Sequence, residues 1–267
     1  EPFPRCALLA TILIGVIVGK EEEIVVSGVI FDVGAHTGED TDFYLGKGFR
    51  VVAVEANPAL AKGLRRRFKR AVSQGNLIVV EKAVSAPGIN KVPFYINQSK
   101  DDWSSTFENV ASKGSSRVRE ILVDAVSLPE LFREYGVPHY LKIDIEMGDV
   151  VALESLLGTE SRPRYISAEI HEIRVLETLA TLGYRKFQIL NQWLNGFVQP
   201  VSPAREGRFF WPGQLGGYHS GLFGAELPEE DWVGFETARD LYLAHMTISR
   251  YGLAKNSWFD IHAKMED

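Results

Sequence analysis

From residue 29 onward, apolar runs of strand length alternate with stretches of helical character. This alternation is typical of βαβ units on a parallel sheet. The centres of the runs are rich in Val and Ile, as expected for strands covered on both faces. We therefore predict an α/β fold with a doubly wound, mostly parallel sheet. The predicted strands span 28–34, 50–56, 76–84, 140–146, 164–171 and 184–190, and the predicted helices span 39–47, 57–73, 127–135, 148–157 and 172–182.

Two stretches interrupt this alternation. Residues 85–126 contain the strand-like "KVPFYIN" and "SRVREILVDAV" and predict an inserted β excursion. Residues 191–230 are dense in Gly, Pro and aromatic residues and are too long for a simple connection, so we interpret them as a lid-like loop. The predicted organisation is therefore a single domain over 28–267 that carries both stretches.

The segment before the domain, residues 1–27, contains the apolar run "CALLATILIGVIVG" at 6–19. We predict a packed N-terminal element and a cytoplasmic protein, with a signal sequence or membrane anchor as the alternative. Cys6 is the only cysteine, which excludes a disulfide framework and a cysteine-based metal site. The net charge of -6 and the lack of a basic stripe argue against nucleic acid as a partner, and we interpret the basic cluster at 65–70 as a solvated helix face.

The first strand leads into a glycine loop, in the stretch "VIFDVGAHTGED". A strand, a glycine loop and a helix N-terminus together form a ligand site, but dinucleotide binding needs a second glycine where His36 stands. Asp32 would repel a pyrophosphate and attract an ammonium group. Glu55, at the end of the second strand, is placed to accept both hydroxyls of a ribose. A ribose with a cationic amino-acid tail and no pyrophosphate describes S-adenosylmethionine.

The motifs "FDVGAHTGEDT", "VVAVEANP", "KAVS", "SST", "LPELFREYGVPHYLKIDIEMGD" and "ISAEIHE" stand in one order over about residues 28–190. In order and spacing they resemble the FkbM-type S-adenosylmethionine-dependent methyltransferases. The resemblance implies the class I methyltransferase fold, a Rossmann-like seven-stranded sheet with helices on both faces. It also implies methylation of a hydroxyl on a sugar or natural product.

The resemblance further implies a set of cofactor-binding residues. They are Asp32, Gly34, Ala35, His36, Thr37 and Gly38 at the methionine portion, with Thr41 in the next helix, Glu55 and Ala56 at the ribose, and Ala83 and Val84 at the adenine. The chain departs from the family pattern at Met147, where glycine is usual, and at Pro129, where an acid is usual.

Methyl transfer from a sulfonium needs mainly a positioned acceptor and a base that removes its proton. His171 is the preferred general base because its unperturbed pKa lies near neutrality, followed by Asp144, with Glu146 as an orienting partner. Alternatively, His171 caps a strand or helix. No metal is predicted, although Asp144, Glu169 and His171 form a weak alternative set of ligands.

The acceptor is predicted to be a small molecule or sugar bound at "DDWSST", residues 101–106. The candidate substrate residues there are Asp101, Asp102, Trp103, Ser104 and Ser105, and those in the long loop are Trp193, Trp211, Tyr218 and His219. The C-terminal "SWFDIHA" is predicted to pack on the sheet without a chemical role. Two other functions remain open, an NAD-dependent reductase and a non-catalytic cofactor- or glycan-binding module.

Overall fold

The computed structural model describes residues 28–113, 117–216, 218–252 and 257–266, so the apolar run at 6–19 lies outside the described residues. Its main sheet has seven strands within this part of the chain. They are β1 (Val29–Val33), β2 (Arg50–Val54), β3 (Leu77–Val80), β7 (Tyr140–Ile143), β8 (Tyr165–Glu169), β9 (Lys186–Asn191) and β10 (Phe259–Lys264).

These strands lie in the order β3-β2-β1-β7-β8-β10-β9. Neighbouring strands are parallel except around β10, which pairs antiparallel with both β8 and β9. This arrangement confirms the predicted mostly parallel, seven-stranded sheet of the class I methyltransferase fold. The chain reverses its direction of winding between β1 and β7, which opens a crevice at the carboxyl ends of these two strands.

Helices cover the main sheet. They are α1 (Glu39–Gly46), α2 (Pro58–Arg67), α3 (Lys69–Ser73), α5 (Leu128–Tyr135), α6 (Asp149–Glu154), α7 (Ile173–Thr181) and α8 (Phe235–Arg250), whereas the short α4 (Glu108–Ala111) packs against β5 (Lys91–Asn97) of a smaller sheet. Apolar residues of α5, α6, α7 and α8 share one buried cluster with side chains from β1 and β2. The opposite face of these strands packs in a second cluster with α1, α2 and residues 223–232. Alternation along the strands therefore supplies two cores, one on each side.

Several element boundaries differ from those predicted. The helix over 57–73 breaks at Phe68, whose φ of -104° and ψ of 31° are not helical. The strand over 76–84 ends at Val80, and after a short break Ala83–Val84 forms β4, which belongs to a different sheet. Helix α8 was not predicted, because its exposed face carries the apolar residues Leu243 and Met246, which obscure the amphipathic pattern.

The stretch 85–126 forms a small second sheet. Its strands β5 (Lys91–Asn97) and β6 (Val118–Val126) pair antiparallel, and β6 pairs parallel with β4. The turn-rich segment between β5 and β6 folds back, so that Tyr95 and Ser105 exchange backbone hydrogen bonds of 2.8 and 3.1 Å. This fold-back places residues 100–106 beside the crevice of the main sheet.

Much of the long stretch 191–230 packs against α1. Arg208 donates from its backbone N–H to Lys47 O (2.9 Å) and from Nε to Gly46 O (2.7 Å). Lys47 in turn forms a buried ion pair with Glu226. At the other end of α1, the backbone N–H of Ser220 donates to the carboxylate of Asp40 at 2.9 Å. The stretch is therefore attached at both ends of the helix, and its action as a lid stays a prediction.

Among the residues that the structure describes, no helix combines the length and the apolar character needed to cross a membrane.

Candidate active site

The glycine loop follows directly from the end of β1. Gly34 has a φ of 83°, and its backbone N–H donates to Val54 O at 2.9 Å. A Cβ atom at Gly34 would stand 1.8 Å from the carbonyl oxygen of Asp144. Glycine is therefore required here because the chain after β7 passes against the loop, in addition to any ligand that approaches it.

Glu55 joins this loop to the next crossover. One carboxylate oxygen accepts the backbone N–H of His36 and the other accepts the backbone N–H of Asn57, both at 2.8 Å. Burial raises the pKa of Glu55 to about 7, although the two N–H groups oppose that shift. Each carboxylate oxygen can accept a further hydrogen bond, and Glu55 lines the cavity described below.

A row of polar side chains crosses the face of the sheet that packs against α1. The register places Asp32 of β1, Lys142 of β7, Ser167 of β8, His262 of β10 and Gln188 of β9 side by side. All five are at most 4% exposed. The polar row lies directly beneath the crevice at the carboxyl ends of β1 and β7.

Lys142 is the cation of this row. Its Nζ lies 3.4 Å from Asp32 Oδ1, 3.5 Å from Asp40 Oδ2 and 3.6 Å from Asp144 Oδ2, and it donates to Gly34 O at 3.2 Å. Burial by itself lowers the pKa of Lys142, but the neighbouring carboxylates raise it well above its ordinary value. The lysine therefore stays charged and neutralises acids from three parts of the chain.

This arrangement changes the interpretation of Asp32. We expected Asp32 to face the ammonium group of a ligand, but the ammonium that it meets is that of Lys142. Its second carboxylate oxygen accepts a 2.6 Å hydrogen bond from the hydroxyl of Thr41. Both residues are buried beneath the cavity and do not line it.

A cavity of about 910 Å³ occupies the crevice, and most of the predicted site residues lie on its wall. These are Gly34, Ala35, His36, Glu55, Ala56, Ala83, Val84, Asp102, Trp103, Ser104, Asp144, Glu146 and His171, together with Asp101, Glu169, Tyr218 and His219. The fold thus brings the predicted cofactor, catalytic and substrate residues to one place. Trp193 and Trp211 do not line this cavity.

Three other predicted residues turn away from the cavity. The hydroxyl of Thr37 donates to Glu39 Oε2 at 2.6 Å on the surface. Gly38 has a φ of 92° at the start of α1, where a Cβ atom would stand 2.6 Å from the side chains of Leu64 and Phe68. The hydroxyl of Ser105 is directed to the backbone of Glu146. These residues shape the loops around the cavity and do not face into it.

Ser105 stabilises an unusual turn after β7. Its hydroxyl donates to the backbone carbonyl of Glu146 at 2.8 Å. Glu146 and Met147 have φ values of 49° and 71°, in the left-handed region that glycine tolerates best. Met147, the departure from the family pattern, therefore occupies a strained backbone position. The turn directs the Glu146 side chain into the cavity.

The predicted catalytic residues meet at the ends of β7 and β8. His171 Nε2 lies 2.8 Å from Glu169 Oε2, although the ring N–H does not point at the oxygen well enough for a hydrogen bond. Burial and the neighbouring charge of Asp144 raise the pKa of Glu146 to about 7. Burial, Asp144 and Glu146 also raise the pKa of Glu169 well above its ordinary value.

Two acids at this end of the cavity were not predicted as site residues. Asp260 lies on β10 directly opposite Glu169 and lines the cavity. The stretch "SWFDIHA", expected to pack on the sheet, instead supplies the strand between β8 and β9. Asp149, the first residue of α6, is 1% exposed, and neither of its carboxylate oxygens has a hydrogen-bond partner among the described residues. Burial, Glu169 and Asp144 raise the pKa of Asp149 to about 8.

The cavity mouth is framed by residues 100–103 and by the tip of the long stretch. His36 Nε2 lies 3.4 Å from Asp101 Oδ1, and the His36 ring stacks on Tyr218 with 6.1 Å between ring centroids. Lys100 covers one face of Trp103 at 4.1 Å. The two predicted substrate-binding segments therefore meet across His36.

The alternative metal site is not supported. Over the described ranges, no group of three or more His, Cys, Asp or Glu residues has an arrangement that could hold a metal ion. Asp144 is instead close to Lys142, and Glu169 is close to His171.

Comparisons with known structures return methyltransferases of low sequence identity. Precorrin-6y C5,15-methyltransferase from Geobacter metallireducens is 14% identical, with a TM-score of 0.40 over 90% of this chain and 80% of that chain. An rRNA methylase from Streptococcus thermophilus is 10% identical, with a TM-score of 0.38 over 91% and 90% of the two chains. A SAM-dependent O-methyltransferase from Thermotoga maritima is 9% identical, with a TM-score of 0.36 over 90% and 60%.

No curated protein matches the chain significantly in sequence. The family model of the methyltransferase FkbM domain, however, matches residues 32–197, which include the glycine loop, Glu55 and the turn after β7. The match also spans β8 and the Glu169–His171 pair. The chain therefore belongs to the FkbM methyltransferase family, and it is a methyltransferase whose cofactor is S-adenosylmethionine.

Proposed function

We propose that this methyltransferase transfers a methyl group to a hydroxyl of a saccharide, a glycoconjugate or a secondary metabolite. The observation that carries the proposal is the close pair of Glu169 and His171 on the wall of the cavity that also contains Glu55. A carboxylate beside an imidazole is an arrangement suited to removing the proton of a hydroxyl.

The residues around the cavity fit the cofactor chemically. Ala83, Val84 and Phe94 line the cavity, and their apolar side chains suit the flat adenine ring. The free acceptor positions of Glu55 suit the two ribose hydroxyls. Gly34 and Ala35 line the cavity, so the backbone of this loop is accessible to the amino-acid portion of the cofactor. These roles of individual residues are part of the proposal.

When bound, S-adenosylmethionine supplies a methyl group on a sulfonium that is a good leaving group. The chain then has to position the acceptor and remove its proton. His171 receives that proton on its imidazole, and the carboxylate of Glu169 stabilises the positive charge. Asp144 is the second candidate base, and Glu146 orients the acceptor hydroxyl.

Two variants test the cofactor site and the base separately. In calorimetric titrations with S-adenosylhomocysteine, we expect Glu55→Ala to lose about tenfold or more in affinity, because it removes the acceptors for both ribose hydroxyls. We expect His171→Ala to bind S-adenosylhomocysteine normally and to lose at least a hundredfold in methyl transfer to hydroxylated acceptors. His245→Ala, on α8 and outside the cavity, is the matched control.

The outcomes separate the other functions considered. Saturable binding of NAD would favour a reductase over the proposed reaction. Binding of S-adenosylhomocysteine with no turnover on any acceptor would favour a non-catalytic binding module. Full activity in both His171→Ala and Asp144→Ala would contradict the proposed base. The cytoplasmic location stays a prediction, tested by fractionation of cells that produce the chain.

A further inference from the structure

Four carboxylates line one end of the cavity. Asp144 and Glu146 follow β7, Glu169 ends β8, and Asp260 lies opposite Glu169 on β10. We call these residues the carboxylate cluster. It faces the cavity beside His171.

The positive charges near the cluster are fewer than its negative charges. Lys142 is close to Asp144, but it is also shared with Asp32 and Asp40 beneath the cavity. Lys113 lies near enough to oppose the raised pKa of Glu146 and Glu169. Two lysines thus face the four acids of the cluster and two further acids below it. Crowded carboxylates of this kind attract a cation.

Two members of the cluster, Glu146 and Asp260, have carboxylates without a partner among the described residues, and Asp260 is the more buried of the two. It is 5% exposed, and its carboxylate forms no hydrogen bond or ion pair with any residue in the described part of the chain. Leaving a buried carboxylate unpaired is costly, and such groups are usually found with a partner. Because Asp260 lines the cavity, a bound ligand is placed to supply that partner.

An aromatic side chain lies two residues before Asp260 in the chain. Trp258 is 38% exposed and lines the same cavity. A half-exposed indole beside carboxylates suits a ligand that combines an apolar ring face with an ammonium group. A saccharide ring that carries an amine has both features.

We propose that the methyl acceptor carries a protonated amine, and that Asp260 and Glu169 bind this amine while His171 faces the hydroxyl to be methylated. The acceptor class is therefore an amino sugar or a similar aminated polyol. This inference rests on the proposed function.

The test begins with binding of S-adenosylhomocysteine, which establishes the cofactor site independently. With S-adenosylhomocysteine present at neutral pH, saturation-transfer NMR then measures the dissociation constants of glucosamine, N-acetylglucosamine and glucose. We expect glucosamine to bind at least tenfold more tightly than N-acetylglucosamine, which has the same ring without the charge. In Asp260→Asn, the ratio should fall to about twofold or less, while glucose binding stays unchanged.

Asp240→Asn removes an exposed carboxylate on α8 and should keep the full preference for the amine. Equal binding of glucosamine and N-acetylglucosamine overturns the proposal, as does an unchanged ratio in Asp260→Asn. It is also overturned if the preference vanishes with EDTA and returns with Mg²⁺, since the cluster would then bind a metal ion. If the unmodified chain does not bind S-adenosylhomocysteine at all, the proposed cofactor residues are refuted instead.

Discussion

Replacing Lys142 with Met tests the electrostatic organisation beneath the cavity. The side chain of Met has a similar length, so the change removes the charge while keeping most of the volume. At an effective dielectric constant of 20, the attraction between Nζ and one carboxylate about 3.5 Å away is worth about 5 kcal/mol before desolvation is counted. Desolvation of the lysine offsets much of this attraction, and breaking a buried ion pair typically costs about 3–5 kcal/mol.

We therefore expect Lys142→Met to lower the free energy of unfolding by about 3–5 kcal/mol at pH 8, measured by urea denaturation. The deficit should shrink at lower pH. Burial already raises the pKa of the Asp40 carboxyl, and the charge of Lys142 opposes that shift. Without the lysine, the pKa of Asp40 therefore lies further above its value in the unfolded chain. The folded variant then takes up protons as the pH falls and gains stability relative to the parent.

Lys142→Arg keeps the charge and should lose less stability than Lys142→Met. Lys264→Met removes a lysine that pairs with the exposed Glu229, and it should cost less than about 1 kcal/mol. A Lys142→Met variant that unfolds within about 1 kcal/mol of the parent at pH 8 would refute this reasoning. A deficit of the same size at pH 8 and pH 5.5 would also refute it.

Three further substitutions test the backbone and the polar row. Met147→Gly should raise the free energy of unfolding by about 1 kcal/mol in urea denaturation, because glycine adopts the left-handed backbone without strain. Gly34→Ala should lower the melting temperature strongly, because its Cβ atom would collide with Asp144 O. Burial lowers the pKa of His262 to about 3. The free energy of unfolding should therefore fall by about 1.4 kcal/mol for each pH unit below about 6.5, where the unfolded chain binds a proton that the folded chain does not. His262→Phe should remove this loss. The difference in free energy of unfolding between the parent and the variant, measured by urea denaturation, should therefore change with pH.

Each of these predictions has a result that contradicts it. Met147→Ala keeps a Cβ atom and should show no gain, so an equal gain in both variants would disprove the strain argument. Gly63→Ala is a helical control, since no atom lies within 4 Å of the added Cβ, and it should be neutral or stabilising. A constant difference between the parent and His262→Phe from pH 7 to pH 4 would show that His262 is not held neutral.

The sheet and the cavity were predictable because they depend on local patterns. Val- and Ile-rich runs mark buried strands, and parallel strands bring their carboxyl ends to one edge. Glu55, Asp144 and Glu169 each stand at or next to the end of such a run, so their convergence followed from the predicted sheet. The break at Phe68 was not visible, because the helical periodicity continues on both sides of it.

Asp32 and Asp260 show what a local pattern does not contain. The partner of Asp32 is Lys142, which lies in a strand far along the chain, so the sequence predicted a ligand where the fold supplies its own cation. Asp260 reaches the cavity only because β10 inserts between β8 and β9. Neither the contact of Asp32 with Lys142 nor the position of Asp260 at the cavity leaves a signal in the neighbouring residues, since both depend on the order of strands in the sheet.

The insertion of β10 also has a consequence for how the chain is made. A long stretch of chain separates β8 and β9 from β10, the strand that lies between them in the sheet. Neither strand can pair with β10 until Phe259–Lys264 has left the ribosome. Before that moment, β8 has an unpaired edge of largely buried sequence, and β9, at the edge of the sheet, lacks its neighbour β10. Unpaired strand edges of this kind are templates for aggregation. Chains shortened before Phe259 should therefore depend strongly on chaperones during synthesis.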